Sequence, residues 1–171
     1  MCRLLVLFLF LSCTLGAQTS NIAPILQATG NQAYCPGTAL PIATSMSFID
    51  PDDTGTQQVT VQISGGYVVG QDILMLTGVH PNISSSWDAA AGKLTLTGIT
   101  SQPTYAELQA AILGVVYQSN HPAPTGTRTF AIAVGDANYL PATGHYYLFV
   151  PDVGIAWGDA QTLAAASNYV G

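Results

Sequence analysis

Charged side chains are scarce in this sequence, and positive ones are the scarcest. Asp, Glu, Lys and Arg together make up 7% of the 171 residues, against about 25% in an average domain. The three cations are Arg3, Lys93 and Arg128. Nucleic-acid binding needs clustered Lys and Arg to neutralise phosphates, so this composition argues against nucleic acid as a partner. Uncharged chains rich in Thr, Ser, Gly and Ala are typical of extracellular β-modules rather than of cytosolic enzymes.

The sequence also lacks an apolar run long enough to cross a membrane. Its longest run, residues 4–11, follows the positive charge of Arg3 and leads to small residues at Gly16 and Ala17. This is the layout of a secretory signal peptide, whereas a membrane helix needs about 20 apolar residues. We predict a signal peptide over residues 1–17, a mature chain that is secreted or held at the cell surface, and no transmembrane segment after cleavage.

Cysteine is rare as well. Cleavage before Gln18 removes Cys2 and Cys13 and leaves Cys35 alone in the mature chain. We therefore predict no disulfide within the mature chain, with Cys35 unpaired. Acylation of Cys13, as in a lipoprotein, is the alternative to ordinary secretion.

Alternation of polar and apolar residues predicts that the mature chain is mainly β. Val59, Val61 and Ile63 alternate with polar residues, as on one face of a half-buried strand. Short apolar segments at 40–49, 72–76, 93–97, 115–117 and 127–134 predict further strands, the last burying Phe130, Ile132 and Val134. Gly- and Pro-rich turns separate these segments. This spacing predicts an antiparallel, Greek-key-like β-sandwich over residues 39–140, after an extended lead-in at 18–38.

One short helix interrupts the strands. Thr104 and Glu107 have the spacing of a capping box, in which the first side chain caps the third helical N–H. The helix is expected to end near Gly114.

The last residues have a different character. Tyr146 begins an aromatic strand, and Trp157, Ala160 and Leu163 follow at helical spacing in an Ala-rich segment. A strand and a helix are too few to bury a core. We predict that residues 145–171 begin an incomplete second, α+β domain, with a boundary near 139–145; packing on the first module is the alternative.

Residues 48–136 resemble a known repeat. Asp-Pro-Asp-Asp at 50–53 is followed by Gly-Gln-Asp-Ile-Leu-Met-Leu at 70–76, Gly-Lys-Leu-Thr-Leu-Thr-Gly at 92–98 and Arg-Thr-Phe-Ala-Ile-Ala-Val-Gly-Asp at 128–136. This order is similar to the cadherin-like repeat of bacterial adhesins and chondroitin-sulfate-proteoglycan-type arrays. The resemblance implies a β-sandwich that serves as an adhesion or spacer unit.

The segment from Gly144 to Ser167 resembles the opening of a C-type lectin-like domain, in which a strand leads into a first helix. The sugar and calcium ligands of that family lie later in its fold, so none is assigned here. Behind a leader that ends in Ala-Gln, the tandem is similar to the N-terminus of large cell-surface proteins that Bacteroidetes export by the type IX system.

Acidic residues next to strand ends are the candidate metal ligands. Ca²⁺ takes six to eight oxygen ligands, often from carboxylates, and cadherin-like modules bind it with acids at strand ends. The resemblance thus points to calcium as the cofactor, held by Asp50, Asp52, Asp53, Asp72 and Asp136. In the alternative interpretation, Asp-Pro-Asp-Asp is a tight turn whose carboxylates cap backbone N–H groups.

No catalytic site is predicted. His80, His121 and His145 lie in loops and lack the spacing of zinc ligands. A triad can be drawn from Ser84–Ser86, His80 and Asp88, but no Gly-x-Ser-x-Gly elbow accompanies it. The chain is therefore predicted not to be an enzyme.

Two surface features allow both a functional and a structural interpretation. Asn82-Ile83-Ser84 fits the N-glycosylation pattern, although a buried or turn Asn is the alternative. Trp87 and the pair Tyr146-Tyr147 could form a sugar-stacking platform, yet aromatic residues in small β-domains more often belong to the core.

These observations predict an extracellular adhesion or spacer module without catalytic activity, calcium-stabilised, at the N-terminus of a larger secreted protein. One alternative is a carbohydrate-binding, C-type lectin-like protein, and the other is an accessory domain of a secreted enzyme. The expected partners are downstream domains of the same chain together with glycans or cell-surface proteins. The sequence identifies no ligand-binding residue.

Overall fold

A computed structural model describes residues 22, 24–135, 138–140, 142–143, 145–147 and 154–166. The predicted signal peptide and Asp136 lie outside the described residues. The described part is mainly β and antiparallel, as the sequence predicts. In chain order its elements are β1 Ile25–Thr29, β2 Leu40–Pro41, β3 Ser45–Ile49, β4 Gln58–Gly65, β5 Asp72–Leu76, β6 Ile83–Asp88, β7 Lys93–Gly98, α1 Tyr105–Leu113, β8 Val115–Ser119, β9 Thr129–Val134, β10 Asn138–Leu140, β11 His145–Tyr147 and α2 Trp157–Ala166.

The largest sheet has four strands in the order β6-β7-β4-β9. Its inner face carries the alternating residues of β4: Val59 and Val61 are fully buried, and Ile63 nearly so. Val59 lies between Leu96 of β7 and Val134 of β9 in the two ladders. The predicted core face of this strand is confirmed, because side chains two residues apart share one face of a strand.

A second layer faces this sheet. It contains the three-stranded sheet β2-β8-β5 and the two-stranded ribbon β1-β3. Leu74 of β5 and Val115 of β8 are buried in the same core as β4. The resulting two-layer arrangement is sandwich-like, as the sequence predicts.

Helix α1 closes the core beside β3 and begins where the sequence predicts. The Thr104 hydroxyl accepts from the Glu107 N–H (3.3 Å), and the Thr104 N–H donates to the Glu107 carboxylate (2.8 Å), which completes a capping box. Gly114 forms the C-cap. Leu108, Ala111 and Ile112 are fully buried, so the helix is fixed by its cap and by core packing together.

The two ends of the sandwich differ. The acidic-turn end is the end where β3 stops, the turn 50–53 follows and β4 begins; the Asp72 end is the end where β4 stops and β5 begins. The described N-terminal segment starts at the acidic-turn end, because Ile25 pairs with Ile49. Strand β9 finishes at that end as well, since Val134 pairs with Val59. Both chain connections of the module are therefore at the acidic-turn end.

Some local predictions need correction. Strand β6 was not predicted, because its exposed run Ser84–Ser86 lacks apolar alternation. The predicted strand at 40–49 consists of β2 and β3 with residues 42–44 between them. In β9, Val134 is buried but Phe130 and Ile132 are only half-buried, because this strand ends the described four-stranded sheet instead of lying inside it.

Beyond the sandwich, β10 and β11 pair as an antiparallel hairpin across the predicted boundary. The predicted Ala-rich helix is confirmed as α2, and it buries no residue. Trp157 at its start is 82% exposed and Leu163 is 55% exposed. Residues 148–150 of the predicted aromatic strand lie outside the described part. The division of the chain into a sandwich and the start of a second domain stays a prediction.

Candidate functional site

Asp72 holds a buried ion pair at the Asp72 end. Its side chain is fully buried, and that of Arg128, just before β9, is 10% exposed. The Arg128 Nε–H donates to Asp72 Oδ2 at 2.6 Å, and Nη2 donates to Oδ1 at 3.3 Å. The Tyr117 hydroxyl donates to Oδ1 (2.7 Å) and the Val68 N–H to Oδ2 (2.9 Å). A carboxylate has about four acceptor positions, so all those of Asp72 are used.

These contacts set the ionisation of the group. Burial acts to raise the pKa of Asp72, but the hydrogen bonds from Arg128, Tyr117 and Val68 outweigh it and hold the pKa below its ordinary value. Burial, followed by the neighbouring Asp72 carboxylate, raises the pKa of Tyr117 to about 12. The hydrogen bond to Asp72 raises the pKa of Arg128. At physiological pH Asp72 is therefore ionised and Arg128 protonated, so that the ion pair carries no net charge.

Tyr34 ties the lead-in to this network. Its hydroxyl accepts from the Ser119 N–H at 2.9 Å, and its ring meets the Tyr117 ring edge-on, with centroids 5.0 Å apart. Phe130 also packs against Tyr117, with ring centroids 5.8 Å apart. No local sequence pattern indicates this aromatic cluster, because its members lie on separate segments of the chain.

A cleft of about 580 Å³ opens beside the cluster. It lies between the lead-in after β1 and the loop before β9, with β2 and Tyr117 also contributing. Arg128 and the rings of Tyr34 and Phe130 line it. Its other lining residues are Ala28, Thr29, Gly30, Asn31, Gln32, Ala33, Leu40, Pro41, Ile42, Ala43, Pro124, Gly126, Thr127, Thr129 and Ile132.

The Asp50–Asp53 segment is a capped turn at the other end. Asp50 Oδ1 accepts from the N–H groups of Asp52 (3.1 Å) and Asp53 (3.0 Å). Its Oδ2 accepts from the Tyr105 hydroxyl at 2.5 Å. The Tyr105 hydrogen bond has the largest effect and lowers the pKa of Asp50. Burial, the next largest effect, opposes it, and the two backbone hydrogen bonds add to the lowering. Asp52 Oδ2 accepts from the Ile22 N–H at 3.0 Å. These contacts are the ones expected from the alternative interpretation, in which Asp-Pro-Asp-Asp is a tight turn whose carboxylates cap backbone N–H groups.

The predicted calcium ligands are not brought to one place. Asp50, Asp52 and Asp53 lie at the acidic-turn end, whereas Asp72 lies at the opposite end and is saturated by donors. Asp136 lies outside the described residues. Within the described ranges, no three His, Cys, Asp or Glu side chains form a group that could hold a metal ion.

Asn82 is engaged in structure. Its Oδ1 accepts from the Thr100 N–H (3.3 Å), the Thr100 hydroxyl (2.9 Å) and the Ser101 N–H (3.4 Å). Its Nδ2 donates to the Ser101 carbonyl (3.3 Å) and hydroxyl (3.2 Å). Glycosylation replaces a hydrogen of this nitrogen, so it would disturb the contacts that hold the loop before α1.

The residues of the conceivable triad make separate contacts. His80 Nε2 is 3.0 Å from the Thr77 carbonyl. The Ser84 hydroxyl donates to the Thr97 carbonyl at 3.2 Å. Asp88 caps the turn after β6, accepting from the Ala90 N–H at 2.8 Å. His121 likewise caps its own loop, accepting from the Ala123 N–H.

The remaining surface features divide between core and solvent. Trp87 is half-buried against the core and meets Tyr67 edge-on at 6.2 Å, as the core interpretation predicts. Tyr147 is 48% exposed, whereas the side chain of Tyr146 lies outside the described part. Cys35 is free and exposed.

Comparison with known proteins gives one distant similarity. No protein-family profile matches the chain, and no solved structure matches it. The chain is 27% identical over 136 residues to halomucin of Haloquadratum walsbyi. The match covers 74% of this chain but 1% of halomucin. The chain thus resembles one small piece of a very long protein.

Proposed function

We propose that this chain is an extracellular, non-catalytic module of an adhesion or spacer type, part of a larger surface or secreted protein. Three observations support the proposal. The fold is a small antiparallel sandwich, the sequence begins with a secretory leader pattern, and the similarity is to a piece of a protein whose name describes a mucin. No described helix is long and apolar enough to cross a membrane.

The observation that carries the proposal is that polar side chains of the sandwich are engaged in hydrogen bonds that stabilise the fold. Asp72 is saturated by Arg128, Tyr117 and Val68, Glu107 caps α1, and Asn82 holds the loop before it. General acid–base or nucleophilic catalysis needs a group that can reach a substrate. These groups instead stabilise the sandwich, which supports a mechanical or binding role.

Binding of Ca²⁺ by this module stays a prediction. Among the predicted calcium ligands that the structure describes, Asp52 and Asp53 at the acidic-turn end have the least engaged carboxylates, since Asp52 accepts one backbone N–H. Calcium bound there would connect the module to its neighbours, because both chain connections are at this end.

Helix α2 favours a second candidate. Trp157 and Leu163 are mostly exposed, and no residue of α2 is buried. Within the described residues, α2 thus keeps apolar side chains at its surface, as the first helix of a further domain would. A carbohydrate-binding, C-type lectin-like domain or an enzyme downstream would make the sandwich an accessory unit.

Accessibility of the native protein tests the proposal. Antibodies raised against the purified chain should label intact cells of the source organism or detect the protein in its medium, without permeabilisation. Added protease should remove the cell-bound signal while sparing a cytoplasmic marker. Detection only after permeabilisation would contradict an extracellular location.

A further inference from the structure

We propose that the cleft between the lead-in and the loop before β9 is a binding site for a short, neutral saccharide. This inference deepens the proposed adhesion function and rests on it. The cleft volume of about 580 Å³ lies within the roughly 300–1,000 Å³ of small-molecule sites.

The wall of the cleft supplies stacking surfaces. Tyr34 and Phe130 are half-buried and held against Tyr117 by ring contacts. The Tyr34 hydroxyl is fixed by the Ser119 backbone, so its ring has little freedom to turn away. Rigid aromatic faces bind apolar C–H surfaces at low entropic cost, and the faces of sugar rings carry such surfaces.

The rim supplies neutral hydrogen-bonding groups. Asn31, Thr127 and Thr129 are exposed on the cleft. Amide and hydroxyl groups can both donate and accept, which matches the hydroxyl groups of a saccharide. The contacts to Asp72 and the Thr125 carbonyl use three of the five N–H groups of Arg128, and the other two can serve as donors.

The charge at the cleft favours a neutral ligand. Arg128 is its cation, and the buried Asp72 already neutralises it at 2.6 Å. An anionic ligand would have to approach a guanidinium whose charge is compensated and would face the carboxylate behind it. A cationic ligand would meet Arg128 first.

The position of the cleft keeps it accessible. It belongs to the half of the module near Asp72, whereas the chain enters β1 and leaves β9 at the acidic-turn end. The segments before β1 and after β9 are attached at the opposite end of the module, and this arrangement leaves the cleft open to a ligand.

The test uses the mature chain, residues 18–171, on an array of neutral and anionic oligosaccharides and, separately, on an array of unstructured peptides. Ala33→Trp fills the cleft from an exposed lining position, and Ala90→Trp makes the same change in an exposed turn outside it. Asn31→Ala/Thr127→Ala removes rim groups without adding bulk. Melting curves confirm that each variant is folded.

We expect retention of neutral oligosaccharides by the wild type and by Ala90→Trp. Retention should fall about tenfold or more in Ala33→Trp and in the Asn31→Ala/Thr127→Ala variant. Retention of anionic glycans alone, of peptides alone, or of neutral glycans equally by all variants would overturn the proposal. These outcomes are independent of where the native protein is found, so failure of the cleft and failure of the extracellular location are distinguishable.

Discussion

Arg128 Nε lies 2.6 Å from Asp72 Oδ2, and the two side chains are 10% and 0% exposed. After cleavage of the predicted leader, Arg128 and Lys93 are the chain's remaining cations. One of them is thus largely buried in a pair that joins the start of β5 to the residue just before β9. Because β5 and β9 belong to different sheets, the pair connects the two layers.

Breaking this pair should strongly destabilise the module. We expect Arg128→Met to lower the free energy of unfolding by about 3–5 kcal/mol, because it leaves a buried carboxylate without its cation. Asp72→Asn/Arg128→Met should cost less than Arg128→Met alone, since no unpaired charge remains. Urea unfolding of the mature chain measures both. Lys93→Met is the control and should cost less than about 1 kcal/mol; equal losses in Lys93→Met and Arg128→Met would contradict the assignment.

Acid should weaken the same pair. The pKa of Asp72 is lower in the folded state than its unfolded value of about 3.9. Its stabilisation is therefore fully present above the unfolded pKa and is lost as the pH falls through the folded pKa. We expect the urea concentration at the unfolding midpoint of the wild type to decrease as the pH is lowered below about 4. The midpoint of Asp72→Asn should decrease less steeply over the same pH range. Asp50 and Glu107, whose pKa values are also lowered, leave a residual slope in the variant. Parallel pH profiles would show that Asp72 does not contribute.

Asn82 should matter for stability through its own side chain. We expect Asn82→Ala to cost about 1–3 kcal/mol, because it removes the partner of Thr100 and Ser101 in the loop before α1. Ser84→Ala destroys the glycosylation pattern but keeps Asn82, and should change stability by less than about 1 kcal/mol. Thermal unfolding of protein made in bacteria, which lack the eukaryotic modification, compares the two. A larger loss in Ser84→Ala would contradict the structural role.

The parts of the fold that follow from local pattern could be predicted. Val59, Val61 and Ile63 reveal their strand because alternation and burial have the same period. The capping box of α1 is local too, since Thr104 and Glu107 are three residues apart. In both cases the sequence signal lies within a few consecutive residues of one element.

The parts that depend on distant contacts could not. Arg128 and Asp72 are 56 residues apart in sequence, and nothing in either neighbourhood identifies the other as its partner. The sequence pattern instead groups Asp72 with the acids of the turn, because all of them lie beside strand ends. Strand β6 was missed because an edge strand with one exposed face tolerates three consecutive Ser residues, which carry little strand signal.

The same geometry sharpens the calcium prediction. If Ca²⁺ stabilises the module, the ligands belong to the acidic-turn end, because the oxygens of Asp72 are filled and lie at the other end. We predict that Ca²⁺ raises the melting temperature of the mature chain. At about ten times its Kd the gain would be about 1.4 kcal/mol.

Two variants separate the ends of the module. Asp52→Ala/Asp53→Ala should abolish the difference between melting in Ca²⁺ and in chelator. Asp72→Asn should melt lower throughout yet keep that difference, because its loss is structural and remote from the turn. If Asp72→Asn lost the Ca²⁺ response and the turn variant kept it, the ion would lie at the Asp72 end. That result would contradict the prediction. Identical wild-type curves with Ca²⁺ and chelator would leave the Asp50–Asp53 segment as the capped turn that its hydrogen bonds describe.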